Sequence, residues 1–354
     1  MSDMLQSVCR MLEDGKDLVL ATILSQSGST PRTAGTKMIV LSDGSIIGTV
    51  GGGLVEAVVQ KAAAEVWRIG GAQIKVFDLT GADTDSMDMI CGGRLEILIE
   101  YITSDPANVQ IYKELYSALH KREKVFLITA LGNGHDNKGQ ISRHAVLGNG
   151  TVLEDDILSD SSFLNSDRLN ELITMTGKSR YPVVFNMNNQ KIIVEPFFGT
   201  GTVYLYGAGH VSQQVASLAA LVDFQTIVLD DREEFANHER FKQANRVEVI
   251  SSFVNAFADP APDADSYVVI VTRGHSHDKT VLGQVLQTSA KYIGMIGSKR
   301  KRDTIYRALL NEGFTQEDLN RVHCPIGLEI GAETPEEIAV SIVAELIKHR
   351  AQKA

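Results

Sequence analysis

Apolar positions in the first half of the chain switch repeatedly between a helical and a strand period. Met4, Leu5, Val8, Met11 and Leu12 recur at helical spacing, and Gly15 closes that helix. DLVLATIL then reads as a strand, followed by the polar loop SQSGSTPRTAG. TKMIVL and SIIGTV flank Ser42-Asp43-Gly44, a hairpin signal. The triple glycine Gly51, Gly52 and Gly53 opens the helix LVEAVVQKAAAEVWRIG; QIKVFDL is the next strand, then comes a loop carrying Cys91, then the strand RLEILIEYI. A further stretch pairs the helical VQIYKELYSALHK with the strands KVFLITAL and SRHAVLG around GNGHDNKGQ.

From about Thr202 the pattern changes. TVYLYGAGHVSQQVASLAALVDFQTIVLDDREE is an apolar strand, a glycine turn, a helix and a second apolar strand. RVEVIS, SYVVIVTRG, HDKTVLGQVLQTSA, KYIGMIGS, RKRDTIYRALLNEG and TPEEIAVSIVAELIKHRAQKA continue the alternation. Near-continuous apolar strands between helices mean a parallel sheet covered on both faces. The expectation is an α/β protein of two domains, divided in the turn-rich EPFFGTG. Residues 1–198 form an N-terminal mixed α/β domain, and residues 199–354 a Rossmann-like doubly wound parallel sheet.

At 354 residues, with 44% hydrophobic and 22% charged residues, the composition suits a soluble two-domain protein. The best apolar run, KIIVEPFF, is broken by Glu195 and Pro196, and the acidic N-terminus lacks a signal-peptide core. A cytoplasmic location is therefore expected. A net charge of −10 argues against nucleic acid or an anionic membrane as partner, so any anionic ligand needs a local basic patch. Three cysteines, Cys9, Cys91 and Cys324, are too few and too scattered for a disulfide framework, a CxxC zinc site or a cysteine-ligated iron–sulfur cluster.

Gly207-Ala208-Gly209-His210-Val211-Ser212 is a dinucleotide fingerprint with serine at the third glycine position. It follows a strand and opens a helix, and Asp230 ends the next strand 23 residues on, where a carboxylate binds ribose hydroxyls. Gly207 suits the tight turn, Gly209 the approach of backbone to a phosphate, and His210 either reaches a ligand or simply faces solvent. In such a sheet the crevice lies between the first and fourth strands, so TRGHSHD should border the glycine loop. His275, His277 and Asp278 read as metal ligands or a proton relay, or else His277 or Asp278 simply caps the next helix, aspartate being the better cap. Lys299, Arg300, Lys301 and Arg302 crowd a helix start, where the dipole disfavours cations; they either meet an anion or form a solvated basic face.

In the first half, Gly28-Ser29-Thr30-Pro31-Arg32 and Gly51–Gly53 let the backbone pass close to a ligand or another strand. Arg32 is either a bidentate anion donor or a surface cation. Cys9 reads as core, and Cys324 as core or pocket wall. Cys91, beside Gly92 and Gly93, is either a small buried hydrophobe or an exposed thiol suited to a soft metal or to sulfur.

GSTPRTAGTKMIVLSDGSIIGTVGGGLVE, CGGRLEILIE, YGAGHVSQQVA, DDREEFAN, YIGMIGSKRK and PIGLEIGAETPEEIAVSIVAELI resemble, in this order, the XdhC/CoxI family. These are accessory proteins of molybdenum hydroxylases such as xanthine dehydrogenase. The resemblance implies a protein that binds molybdenum cofactor (molybdopterin), protects it during sulfuration and assists its insertion. It places the family's glycine corner on Gly51–Glu56, its CGG on Cys91–Gly93, and its Rossmann loop on Gly207–Ser212. Two positions depart: Leu54 stands where many members have cysteine, and Arg273 interrupts the usual THGH.

The leading expectation is thus a cofactor chaperone in which Cys91 contacts molybdenum or its sulfur. Arg32, the glycines of both loops, His210, Asp230, His275, Lys299 and Arg300 would hold the phosphorylated pterin. Its implied partners are a xanthine dehydrogenase-type hydroxylase, a cysteine desulfurase and a second copy of the chain. The alternatives are an NAD(P)-dependent oxidoreductase using His210 or His275 as proton donor, and a non-catalytic nucleotide sensor. Hydroxylase catalysis by this chain itself is not expected, because it lacks the ligands and length for those cofactor domains.

Overall fold

The computed structural model describes residues 2–79, 92–121, 123–132, 141–153, 165–177, 179–188, 190–199, 201–257 and 261–351. It divides into two compact units, Met1–Phe198 and Gly199–Ala354. The first unit runs α1 (Ser2–Glu13), β1 (Leu18–Ser27), β2 (Lys37–Val40), β3 (Ile46–Gly48), α2 (Gly53–Ile69), β4 (Ala72–Asp78) and β5 (Arg94–Ile102). It continues with α3 (Pro106–His120), β6 (Val125–Leu131), β7 (Ile141–Leu147), α4 (Ser166–Thr176), β8 (Val183–Met187) and β9 (Gln190–Phe197).

These strands build two antiparallel sheets, ordered β3-β2-β1-β5-β4 and β7-β6-β9-β8. Side chains alternate between the faces of β1, and both faces are buried. Val19, Ala21 and Ile23 pack against Val55, Val59, Ala63 and Val66 of α2, while Leu18 and Leu20 join a cluster with α1 and α3. Among the described residues, two buried charge pairs tie one sheet to the other. Arg143 of β7 donates to Glu100 of β5 at 2.6 and 3.2 Å. Lys37 of β2 pairs with Glu195 of β9 and donates to Thr22 at 2.9 Å.

The second unit comprises β10 (Thr202–Tyr206), α5 (His210–Leu221), β11 (Gln225–Asp230), β12 (Arg246–Val249), β13 (Ser266–Ile270), α6 (His275–Val285) and β14 (Tyr292–Met295). It ends with α7 (Lys299–Asn311), α8 (Gln316–Asn320), β15 (Val322–His323) and α9 (Pro335–Ala351). The six strands form one parallel sheet ordered β12-β11-β10-β13-β14-β15. Counted within the unit this is 3-2-1-4-5-6, the Rossmann order. The expected fourth strand, SYVVIVT, does lie beside the first. α5 and α9 cover one face and α6 and α7 the other, which is why β10 and β13 are buried at every position. The fold is mixed α/β with a Rossmann-like C-terminal sheet, as the apolar pattern implies.

Candidate functional site

The parallel sheet brings the sequence-predicted residues of the second half to its carboxyl edge. Gly207 leaves β10 at φ +112°, and a Cβ there would lie 2.4 Å from the Val271 carbonyl oxygen, so only glycine fits. Ser212 is fully buried and donates to the Gly207 carbonyl at 2.5 Å, so serine closes the helix–strand contact where glycine is usual. Gly209 caps α5 without a side-chain hydrogen bond, and a Cβ on it would meet nothing within 4 Å. An uncapped helix start beside open space suits an anion. His210 and His275 are both exposed at this edge.

Asp230 sits 1% exposed and is already engaged. It accepts from the Ala208 backbone amide at 2.7 Å, and from the Arg232 amide, Nε and Nη2 at 3.0, 2.9 and 2.9 Å. Burial pushes its pKa up, but the Arg232 side chain and the Ala208 amide outweigh it and hold the carboxyl below the usual range. Asp230 therefore anchors the glycine loop to the end of β11. The spacing that suggested a ribose acceptor gave no sign of Arg232.

Asp278 does not cap α6: the N-cap is Gly274, which makes no side-chain bond. The fully buried Asp278 instead accepts from the Thr272 hydroxyl at 2.7 Å and pairs with Lys301. The end of β13 is thereby tied to the start of α7, because one buried carboxylate serves both. The basic run divides accordingly. Lys301 turns inward, also donating to the Ile296 carbonyl at 3.0 Å, and Arg302 bonds Asp303 at 2.9 Å. Lys299 and Arg300 stay exposed on the first turn of α7, whose cap is Ser298.

The glycine-rich loops of the first unit also converge. A Cβ on Gly93 would lie 2.4 Å from the Ser29 carbonyl oxygen, and one on Gly28 would lie 2.8 Å from the Gly92 carbonyl oxygen. A Cβ on Gly51 would lie 2.7 Å from Pro31 Cγ. Three sequence motifs distant in the chain therefore meet at one corner, with Gly52 capping α2 and Glu56 folding back to accept from the Gly52 amide at 3.0 Å. Arg32 is exposed there, and Leu54 is 49% exposed. Cys91 lies outside the described residues, though Gly92 beside it is part of the corner. Cys9 and Cys324 are buried, and burial pushes both thiols up to about 11, as packed cysteines should behave.

Residues 203–346 match the model of the XdhC Rossmann domain, and residues 11–78 that of the XdhC and CoxI family. The chain belongs to the XdhC and CoxI family. Within the family it is 28% identical over 351 residues to a Bacillus subtilis protein named as a probable xanthine dehydrogenase subunit, covering 97% of this chain and 96% of that one. It is 22% identical over 340 residues to the molybdenum cofactor insertion chaperone PaoD of Escherichia coli, covering 96% and 85%. A crystal structure described as that of a xanthine dehydrogenase from Bacillus halodurans superposes with a TM-score of 0.75 at 24% identity, covering 99% and 96% of the two chains, and shares the fold. In this XdhC-family chain both the glycine corner and the Rossmann edge are built from the motifs that carry the resemblance.

Proposed function

We propose that this XdhC-family protein binds molybdenum cofactor, shelters it during sulfuration and assists its insertion into a xanthine dehydrogenase-type hydroxylase. The observation that carries this reading is the carboxyl edge of the Rossmann sheet. There an uncapped α5 beside the unobstructed Gly209 lies along the same edge as the exposed Lys299 and Arg300. Such an edge suits the phosphate of a pterin. The relative named as an insertion chaperone for the same cofactor supports the reading. Arg32, Gly51–Gly53 and Gly92 are assigned to the cofactor in the first unit, with Cys91 as its contact to molybdenum or sulfur. His210 and His275 line the second unit's edge. A cysteine desulfurase supplies the sulfur, and the working form is a cytoplasmic homodimer.

The engaged Asp230 weighs against pyridine-nucleotide chemistry, because a ribose would have to compete with Arg232 and Ala208 for the same two oxygens. The test is purification from cells that make the cofactor, with pterin read by fluorescence after oxidation. Wild type should carry pterin and molybdenum. Cys91→Ala should lose molybdenum or its sulfur, and Lys299→Glu/Arg300→Glu should lose the pterin. Protein that carries no pterin but turns over NADH or NADPH overturns the proposal in favour of an oxidoreductase.

A further inference from the structure

We propose that His323, Glu345 and His349 form a site for a divalent first-row transition metal, zinc foremost, on the outer strand of the second unit. β15 lies beside β14 with His323 paired to Gly294, and Glu345 and His349 lie four residues apart on α9, hence on one helix face. One ligand atom from each of the three lies within 4.8 Å of the others. His323 Nδ1 stands 3.5 Å from Glu345 Oε1, the outer limit of a hydrogen bond. Tetrahedral zinc, with bonds of about 2.0–2.2 Å, spaces its ligand atoms by about 3.3–3.6 Å, so this pair already has the required separation.

The carboxylate is held in place by groups that would form an outer shell. Glu345 Oε2 accepts from the Tyr292 hydroxyl at 2.6 Å and the Gly327 amide at 2.7 Å, which leaves Oε1 toward the histidines. The same Tyr292 ring stacks on His323 at 4.9 Å and packs on His349 at 5.0 Å, and the two imidazoles lie 4.4 Å apart. Glu345 is buried and both histidines are half-buried, so solvent can reach a fourth position. Two imidazoles and one carboxylate with an open position are a zinc donor set. The cluster gathers around Tyr292 at the start of β14, whereas Lys299 and Arg300 follow the other end of that strand. It is separate from the proposed cofactor edge.

The test uses the full chain stripped with a chelator and titrated with cobalt(II). One cobalt per chain should give the intense visible absorption of four- or five-coordinate ion without a thiolate charge-transfer band, and zinc should displace it. Tyr292→Phe should weaken zinc binding by about 10–100-fold, the cost of losing an outer-shell partner, and His349→Ala by more. A weak hexa-aqua spectrum, a thiolate band, or a His349→Ala variant that binds zinc as tightly as wild type overturns the site. The wild-type cobalt spectrum decides the matter even if a variant does not fold.

Discussion

Asp230 ends a buried strand, and its two oxygens accept four hydrogen bonds from Ala208 and Arg232. The strand-ending aspartate was legible from the glycine fingerprint and its spacing. Its partner was not, because nothing in DDREE states which of its acids Arg232 will choose. The pairing has a pH signature. A carboxyl whose folded pKa lies below its unfolded value, about 3.9, contributes stability above that pH and loses it as pH falls through the folded value. Asp230→Asn should cost about 1–3 kcal/mol at pH 7, since it leaves buried donors without an acceptor. Thermal melts of wild type and variant should differ by about 2–4 °C for each kcal/mol, and the gap should narrow below about pH 4. A gap that stays constant with pH would show that the carboxylate's charge does not matter there.

At the scale of elements, the Rossmann half was readable because strand, turn and helix follow one another locally, and the strand order follows from the same rule. The first unit was not. β1 pairs with β5 from Leu18↔Ile102 to Ser27↔Arg94, and β9 pairs with β6 across the intervening β7, α4 and β8. Neither pairing leaves a local pattern. The buried Arg143–Glu100 pair was equally hidden, because each residue alone reads as a surface charge within a strand. Glu100→Gln should cost about 3–5 kcal/mol by leaving Arg143 buried without its counter-charge, measured by chemical denaturation. The convergence of the glycine loops was half visible: each loop was marked, but their contact depends on β1 and β5 being neighbours. Two glycines of one motif now separate fold from binding. Gly207→Ala should destabilise by at least about 1–3 kcal/mol, through its positive φ and the Val271 carbonyl. Gly209→Ala should stay close to wild-type stability, because its Cβ enters only open space, and should lose pterin binding, because the proposed reading seats the cofactor's phosphate in that space. Equal melting temperatures for the two variants would contradict that division.

For the whole molecule, a chain of net charge −10 has to gather cations locally to hold an anion. Lys301 and Arg302 are spent on Asp278 and Asp303, so the exposed charge falls to Lys299 and Arg300. Each unit also carries its own core: Gly199–Ala354 has apolar layers on both faces of a complete six-stranded sheet. A domain of this size buries about 68–70% of its unfolded surface, enough to fold alone. Residues 199–354 expressed by themselves should therefore melt in one cooperative transition. They should also bind pyrophosphate in a salt-sensitive way, because the uncapped α5 and the basic start of α7 both belong to this unit. Lys299→Glu/Arg300→Glu should leave the melt in place and abolish that binding. Circular dichroism and calorimetric titration on the two proteins would decide it, and a charge-reversed domain that binds pyrophosphate as tightly as wild type would remove the basic pair from the anion site.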